Sequence, residues 1–204
     1  MRKALFAALF VAVMAAGASA QDADYKRGEF GFGYSNNRVD SEGTFDPTSA
    51  SNDREGFHGF YLNGGYNFHK YVGVQAEFSH HRKQTDFTLA GAAATLEGRL
   101  NQGLFGVKVQ DNRTETKVRP FARALIGVGN GTGELRSPTV TANDEDTGLA
   151  AALGGGIAFR LNDNFDLTTS ADYNPIRLGD AGTTETTHNF RLGVGLTIRF
   201  GSKN

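Results

Sequence analysis

Residues 190–200, FRLGVGLTIRF, put Phe190, Leu192, Val194, Leu196, Ile198 and Phe200 at alternate positions, with Arg191, Gly193, Gly195, Thr197 and Arg199 between them. Side chains alternate across a strand, so the first set shares one face and the second the other, whereas a helix would mix them. The run is eleven residues long. The mean strand of soluble proteins is about 5–6 residues, and a tilted strand crossing a bilayer needs roughly 9–11. The segment therefore demands two unlike surroundings, and its length predicts that its apolar face meets a membrane.

The same period recurs upstream. Pro120, Ala122, Ala124, Ile126 and Val128 alternate with Phe121, Arg123, Leu125 and Gly127, and Leu149, Leu153, Ile157 and Phe159 share a face opposite Gly154, Gly156 and Arg160. Val72, Val74, Ala76 and Phe78 oppose Gln75 and Glu77, and Phe165, Leu167, Ala171 and Tyr173 oppose Asp166 and Asp172. Phe30, Phe32 and Tyr34 oppose Glu29, while His58, Phe60, Leu62 and Tyr66 form another mostly apolar face. Phe105, Val107 and Val109, opposite Leu104 and Lys108, complete eight strands, this fourth one having the shortest pattern. Their connections alternate: 67–70, 110–116 and 162–164 are short and turn-rich, while 36–55, 81–101, 129–147 and 175–187 are long and rich in Gly, Ser, Thr, Asn and Asp. Mean hydropathy is slightly negative, but averaging over an alternating pattern hides a continuous apolar face.

Hydrocarbon offers no partner to a free N–H or C=O, so a sheet in a bilayer can have no open edge. The expectation is an all-β fold: an eight-stranded, antiparallel, up-and-down transmembrane β-barrel whose last strand pairs with the first, around residues 29–35. Short turns at one rim and long loops at the other match the periplasmic and outward ends of an outer-membrane barrel. A one-residue slip of the closing strand would turn Arg191 and Arg199 toward lipid, at about 2–4 kcal/mol for an Arg near the midplane. Tyr66, Phe68, Tyr71 and Phe165, with Phe200, are expected in an aromatic girdle near the periplasmic interface; ordinary ring packing is the alternative.

Residues 1–20, MRKALFAALFVAVMAAGASA, have a basic start, an apolar stretch and a small-residue Ala18-Ser19-Ala20 end, the layout of a secretory signal cleaved after Ala20. Residues 21–204 then form one barrel domain. Without the signal, 19 basic residues face 22 acidic ones, a net charge of −3, which speaks against a nucleic-acid partner. There is no Cys, which excludes disulfides, thiol catalysis and Cys-based metal sites.

GGYNFHKYVGVQAEFS at 64–79, RPFARALIGVG at 119–129, ADYNPIRLG at 171–179 and the closing LGVGLTIRF resemble the small eight-stranded outer-membrane barrels, the OmpA transmembrane-domain and OmpX-like family often called porin-like. The resemblance covers essentially all of residues 21–204. It implies residence in the outer membrane of a Gram-negative-type envelope, contact with outer-membrane lipid and lipopolysaccharide, and a monomer. The closing strand, with Leu196, Ile198 and Phe200, looks like the signal that barrel-assembly machinery recognises. Wall anchoring is not implied.

Alternation turns Glu29, Glu77, Asp166 and Asp172, with Lys108, Arg123, Arg160, Arg191 and Arg199, into a lumen just wide enough for side chains. Buried charges are expensive unless partnered, so an ion-pair network is expected there rather than an open channel. In the alternative, small residues such as Gly154, Gly156, Gly193 and Gly195 leave a narrow water path, and the protein is a small porin. A lipid-modifying barrel enzyme would need a nucleophile and base near a rim. His58, His69, His80, His81 and His188 offer no His-x-Ser pattern, and non-enzymatic His is the expectation. Adjacent His80 and His81 point to opposite faces, which makes a shared metal awkward; Asp144, Glu145 and Asp146 read as a solvated loop rather than a cation site. No cofactor and no metal is expected. A soluble lipocalin-like binder would have the apolar face inside and the charges outside. The function expected is structural or surface-interacting, carried by long outward loops over a charge-filled lumen.

Overall fold

The computed structural model describes residues 25–39, 55–89, 92–138, 141–178 and 185–202; the expected signal at 1–20 lies outside them. The strands are β1 (Lys26–Val39), β2 (Glu55–Asn67), β3 (Val72–Leu89), β4 (Ala92–Gln110), β5 (Val118–Arg136), β6 (Thr141–Arg160), β7 (Phe165–Leu178) and β8 (Glu185–Ser202). Each pairs antiparallel with the next, and β8 closes on β1 through Glu29↔Arg199, Phe32↔Leu196 and Arg38↔Phe190. The circuit Gly28↔Tyr66↔Val74↔Val107↔Ala124↔Leu153↔Tyr173↔Phe190 returns to β1 at Arg38, ten residues above its start. Such a stagger is what tilted strands require for closure.

The surface is the apolar one: Ile126 is 65% exposed and Leu149 59%, while Arg191 is 2% exposed. That orientation rules out the lipocalin-like alternative, whose apolar side chains would line the interior. On the outer face Gly28 is covered by the ring of Phe200; a Cβ at Gly28 would lie 2.2 Å from the ring. One residue before its end β8 passes through Gly201, whose φ of 69° favours a residue without a Cβ.

Two of the long loops are strands instead. Within 81–101, β3 and β4 stay paired up to Leu89↔Ala92; within 129–147, β5 and β6 stay paired up to Arg136↔Thr141. These upper segments carry polar residues on both faces, so the apolar alternation that marks a strand between two solvents vanishes there and the composition reads as loop. The wall is uneven as a result. Strand β2 pairs with β3 only as far as His58↔Arg82, and β6 with β7 only from Leu149↔Arg177, so the tops of β3 to β6 stand above their neighbours as a four-stranded sheet. At the other rim the turns are tight: Asn162 accepts from the amides of Asn164 and Phe165, each at 3.0 Å, and Leu161 donates to the Phe165 carbonyl at 2.9 Å.

Candidate functional site

The lumen is built in tiers. In the middle, Glu77 on β3 receives Arg123 of β5 at 2.7 Å and Arg191 of β8 at 2.5 Å, and Asp172 on β7 receives the same two guanidinium groups at 2.6 and 3.4 Å. Two carboxylates and two guanidinium groups from four strands thus close a neutral square, each charge meeting both of its opposites. Strand alternation supplies the four positions, and bidentate Arg geometry suits the shared carboxylates.

Toward the short-turn rim, Lys108 pairs with Glu29 and Arg119 with Asp166, while Arg199 lies 3.9 Å from Asp166 and donates to the Asn112 carbonyl at 2.6 Å. Arg160 does not join this network. It sits at the rim, where its guanidinium donates to the carbonyls of Thr114 and Asn162 and pairs with Asp163. Its position at the last residue of β6 leaves it within reach of the turn, which is the physical reason the lumen assignment fails.

Toward the tall rim the filling is mostly uncharged. Ser35 and His81 share a 2.7 Å hydrogen bond, Asn174 accepts from Asn37 at 3.3 Å and from Gln102 at 2.9 Å, and Lys83 meets Glu55 at 3.2 Å. Against these, Leu100, Leu104, Leu125, Ala150, Ala152 and Ile176 form an apolar cluster inside the barrel. The space beside the glycines of the closing strand is taken up in part by an aromatic side chain. Tyr61 lies against them: a Cβ at Gly195 would fall 2.5 Å from its hydroxyl, and one at Gly193 3.3 Å from its ring. Gly156 is crowded by Phe121 in the same way, at 2.9 Å.

Arg119, Tyr61 and His81 are among the lumen residues that sequence reasoning passed over. Extending each pattern by two residues would have found the first and last, since Arg119 keeps the parity of Arg123 and His81 that of Glu77. Among the four other histidines, His58, His80 and His188 face outward beside Tyr34, Phe60 and Tyr173 respectively, and His69 in the turn accepts from the Tyr71 amide at 3.2 Å. His80 and His81 do point apart, and among the described residues no three His, Cys, Asp or Glu side chains gather as a metal site. Tyr66, Phe68, Tyr71, Phe165 and Phe200 all lie exposed on the outside near the short-turn rim, and Leu196 and Ile198 share the outer face of β8 with Phe200.

Beyond the apolar band, paired charges stiffen the exposed ends. In the turn after β4, hydrogen bonding from Arg113 holds the Asp111 carboxyl below its usual range. On the tall sheet, Arg99 and Arg136 do the same for Glu97 and Glu134. Arg82 and Arg99 stand directly opposite each other on the outer face, with His58 opposite Arg82.

A family model described as the outer membrane protein beta-barrel domain matches residues 6–200. The attachment invasion locus protein Ail of Yersinia pestis is similar in fold, at 21% identity and a TM-score of 0.58, over 88% of this chain and 100% of that one. A second structure of Ail, in complex with the heparin analogue sucrose octasulfate, gives 20% identity and a TM-score of 0.60 over the same shares. Neisserial surface protein A matches at 13% identity and a TM-score of 0.54, over 85% of this chain and 97% of that one. No curated protein matches the sequence significantly.

Proposed function

The chain belongs to the outer membrane protein beta-barrel domain family, and from that premise we propose that it is a closed-lumen barrel which acts at the cell surface through the tall sheet formed by β3 to β6. It resides in the outer membrane, with lipid around its apolar band. The observation that carries the reading is the division of the molecule: a lumen filled by the square of Glu77, Arg123, Asp172 and Arg191, and an exposed polar sheet that, among the described residues, rises from β3 to β6. A lumen so filled suits a rigid support, and a rigid support suits a surface that binds.

Lipopolysaccharide is the lipid partner we assign to the outer face. Arg82 and Arg99 stand opposite each other on the outer face; Glu97 is taken up by Arg99, and a lipid phosphate is the anion that suits the exposed guanidinium of Arg82 beside it. We further read the barrel as monomeric, delivered by assembly machinery that engages Leu196, Ile198 and Phe200, and ringed at the periplasmic interface by Tyr66, Phe68, Tyr71 and Phe165. The non-enzymatic reading rests on Ser35 and His81, whose hydroxyl–imidazole contact is fully enclosed and so out of reach of a substrate.

Two measurements test the proposal. Purified barrel in planar bilayers should give no sustained nanosiemens-scale openings; such openings would defeat the closed lumen. Cells carrying the protein with the β5–β6 hairpin trimmed above Asn130 and Thr147 should lose surface binding that wild-type cells retain, and equal binding would defeat the surface role.

A further inference from the structure

Among the described residues, the short-turn tier of the lumen holds one positive charge more than its carboxylates answer. Lys108, Arg119 and Arg199 are buried there against Glu29 and Asp166. Lys108 is taken by Glu29, and Asp166 is shared between the two arginines. A guanidinium cannot shed its proton, so the two arginines that share the Asp166 carboxylate cannot relieve their excess by titration, and a buried charge without a counter-ion is unfavourable. The hydrogen bonds have the same shortfall. Arg119 is 0% exposed, yet its Nε and Nη1 meet no acceptor, and Asn112, 1% exposed, has both side-chain amide atoms unpartnered. The two meet in one tier through Arg199, which donates to the Asn112 carbonyl and approaches Asp166, the carboxylate that Arg119 pairs with. Asn112 is also fixed in place, because its N–H donates to the Lys70 carbonyl at 2.8 Å and its carbonyl accepts from Arg199. Asp166 Oδ1, likewise unpartnered, belongs to the carboxylate that holds Nη2.

We propose that this tier binds one small monovalent inorganic anion of chloride size, held by Nε and Nη1 of Arg119 and the amide of Asn112 beneath the turn 111–117. A single negative charge cancels the excess. The narrow lumen and the Asp166 carboxylate on the far edge select against larger or more highly charged anions. The site requires only the filled lumen, so its failure would leave the surface role standing.

The test is unfolding of the refolded barrel in detergent at one ionic strength, in sodium chloride against sodium gluconate, with Arg119→Met and Asn112→Ala beside the wild type. The wild-type midpoint should rise by a few degrees with chloride and saturate, as ligand linkage requires. Bromide should replace chloride and give an anomalous-scattering peak beside Arg119 in crystals. Arg119→Met should abolish the chloride dependence while the shift in gel mobility on boiling reports that the barrel still forms. If that variant fails to fold, Asn112→Ala decides by a weakened dependence. Superimposable curves in chloride and gluconate, no bromide peak, or a dependence undiminished in the variants would overturn the proposal.

Discussion

The lower band of the barrel and the tall sheet above it are made from the same strands but obey different rules. In the band, β3 presents Val74, Ala76 and Phe78 outward and Gln75, Glu77 and Ser79 inward, so each residue's neighbour faces the opposite medium. In the sheet, the same strand runs on through Arg82, Lys83, Gln84, Thr85 and Asp86, polar on both faces. Side-chain placement is costly to change in the first region and cheap in the second. Pairing in the sheet is set by continuation of the ladder from below and by cross-strand contacts such as Thr95–Asp86 at 2.8 Å and Arg99–Glu134 at 4.0 Å, each of them weak at an exposed site.

The contrast can be broken at several points. Glu77→Leu strips the middle square of one carboxylate and leaves Arg123 and Arg191 sharing Asp172, a loss of about 3–5 kcal/mol expected for a broken buried pair and readable by urea titration in vesicles. A loss under 1 kcal/mol would mean that the square is solvated. On the outer face, Ile126→Arg should cost about 2–4 kcal/mol in lipid, whereas Thr88→Arg, exposed at the top of the outer face of β3 opposite Ala93, should stay within about 0.5 kcal/mol; equal effects would place the two in the same medium. Gly195→Ala should cost about 1–3 kcal/mol by overpacking against Tyr61 and the Phe32 carbonyl, while Gly103→Ala, with open space around its missing Cβ, should be close to neutral. The smallest effect concerns acid. Glu97 and Glu134 have folded-state pKa values lowered below 4.5, chiefly by hydrogen bonds from Arg99 and Arg136. Their contribution is complete above pH 4.5 and lost as the pH falls through the lowered values. Carboxyl NMR should show both titrating below that point, with the hairpin loosening as they do and the band unchanged.

Strand number, orientation and closure were legible because they follow from alternation, and the charges at 29, 77, 108, 123, 166, 172, 191 and 199 could be placed inside on parity alone. Arg160 shares that parity but escapes to the turn, since parity says nothing about depth along the barrel axis. Arg119 and His81 were hidden for the opposite reason: they lie just past the ends of their apolar runs, where the pattern fades.

By itself the sequence determined which side of each strand faces lipid, because period-2 alternation is a local property that survives any change of register with neighbours by an even number of residues. The tertiary structure decided the rest. Whether Glu77 meets Arg123 or Lys108, whether Tyr61 fills the space beside Gly195, and how far the tall sheet rises all depend on the stagger of eight strands around a closed circuit, and that stagger is fixed only when β8 finds β1.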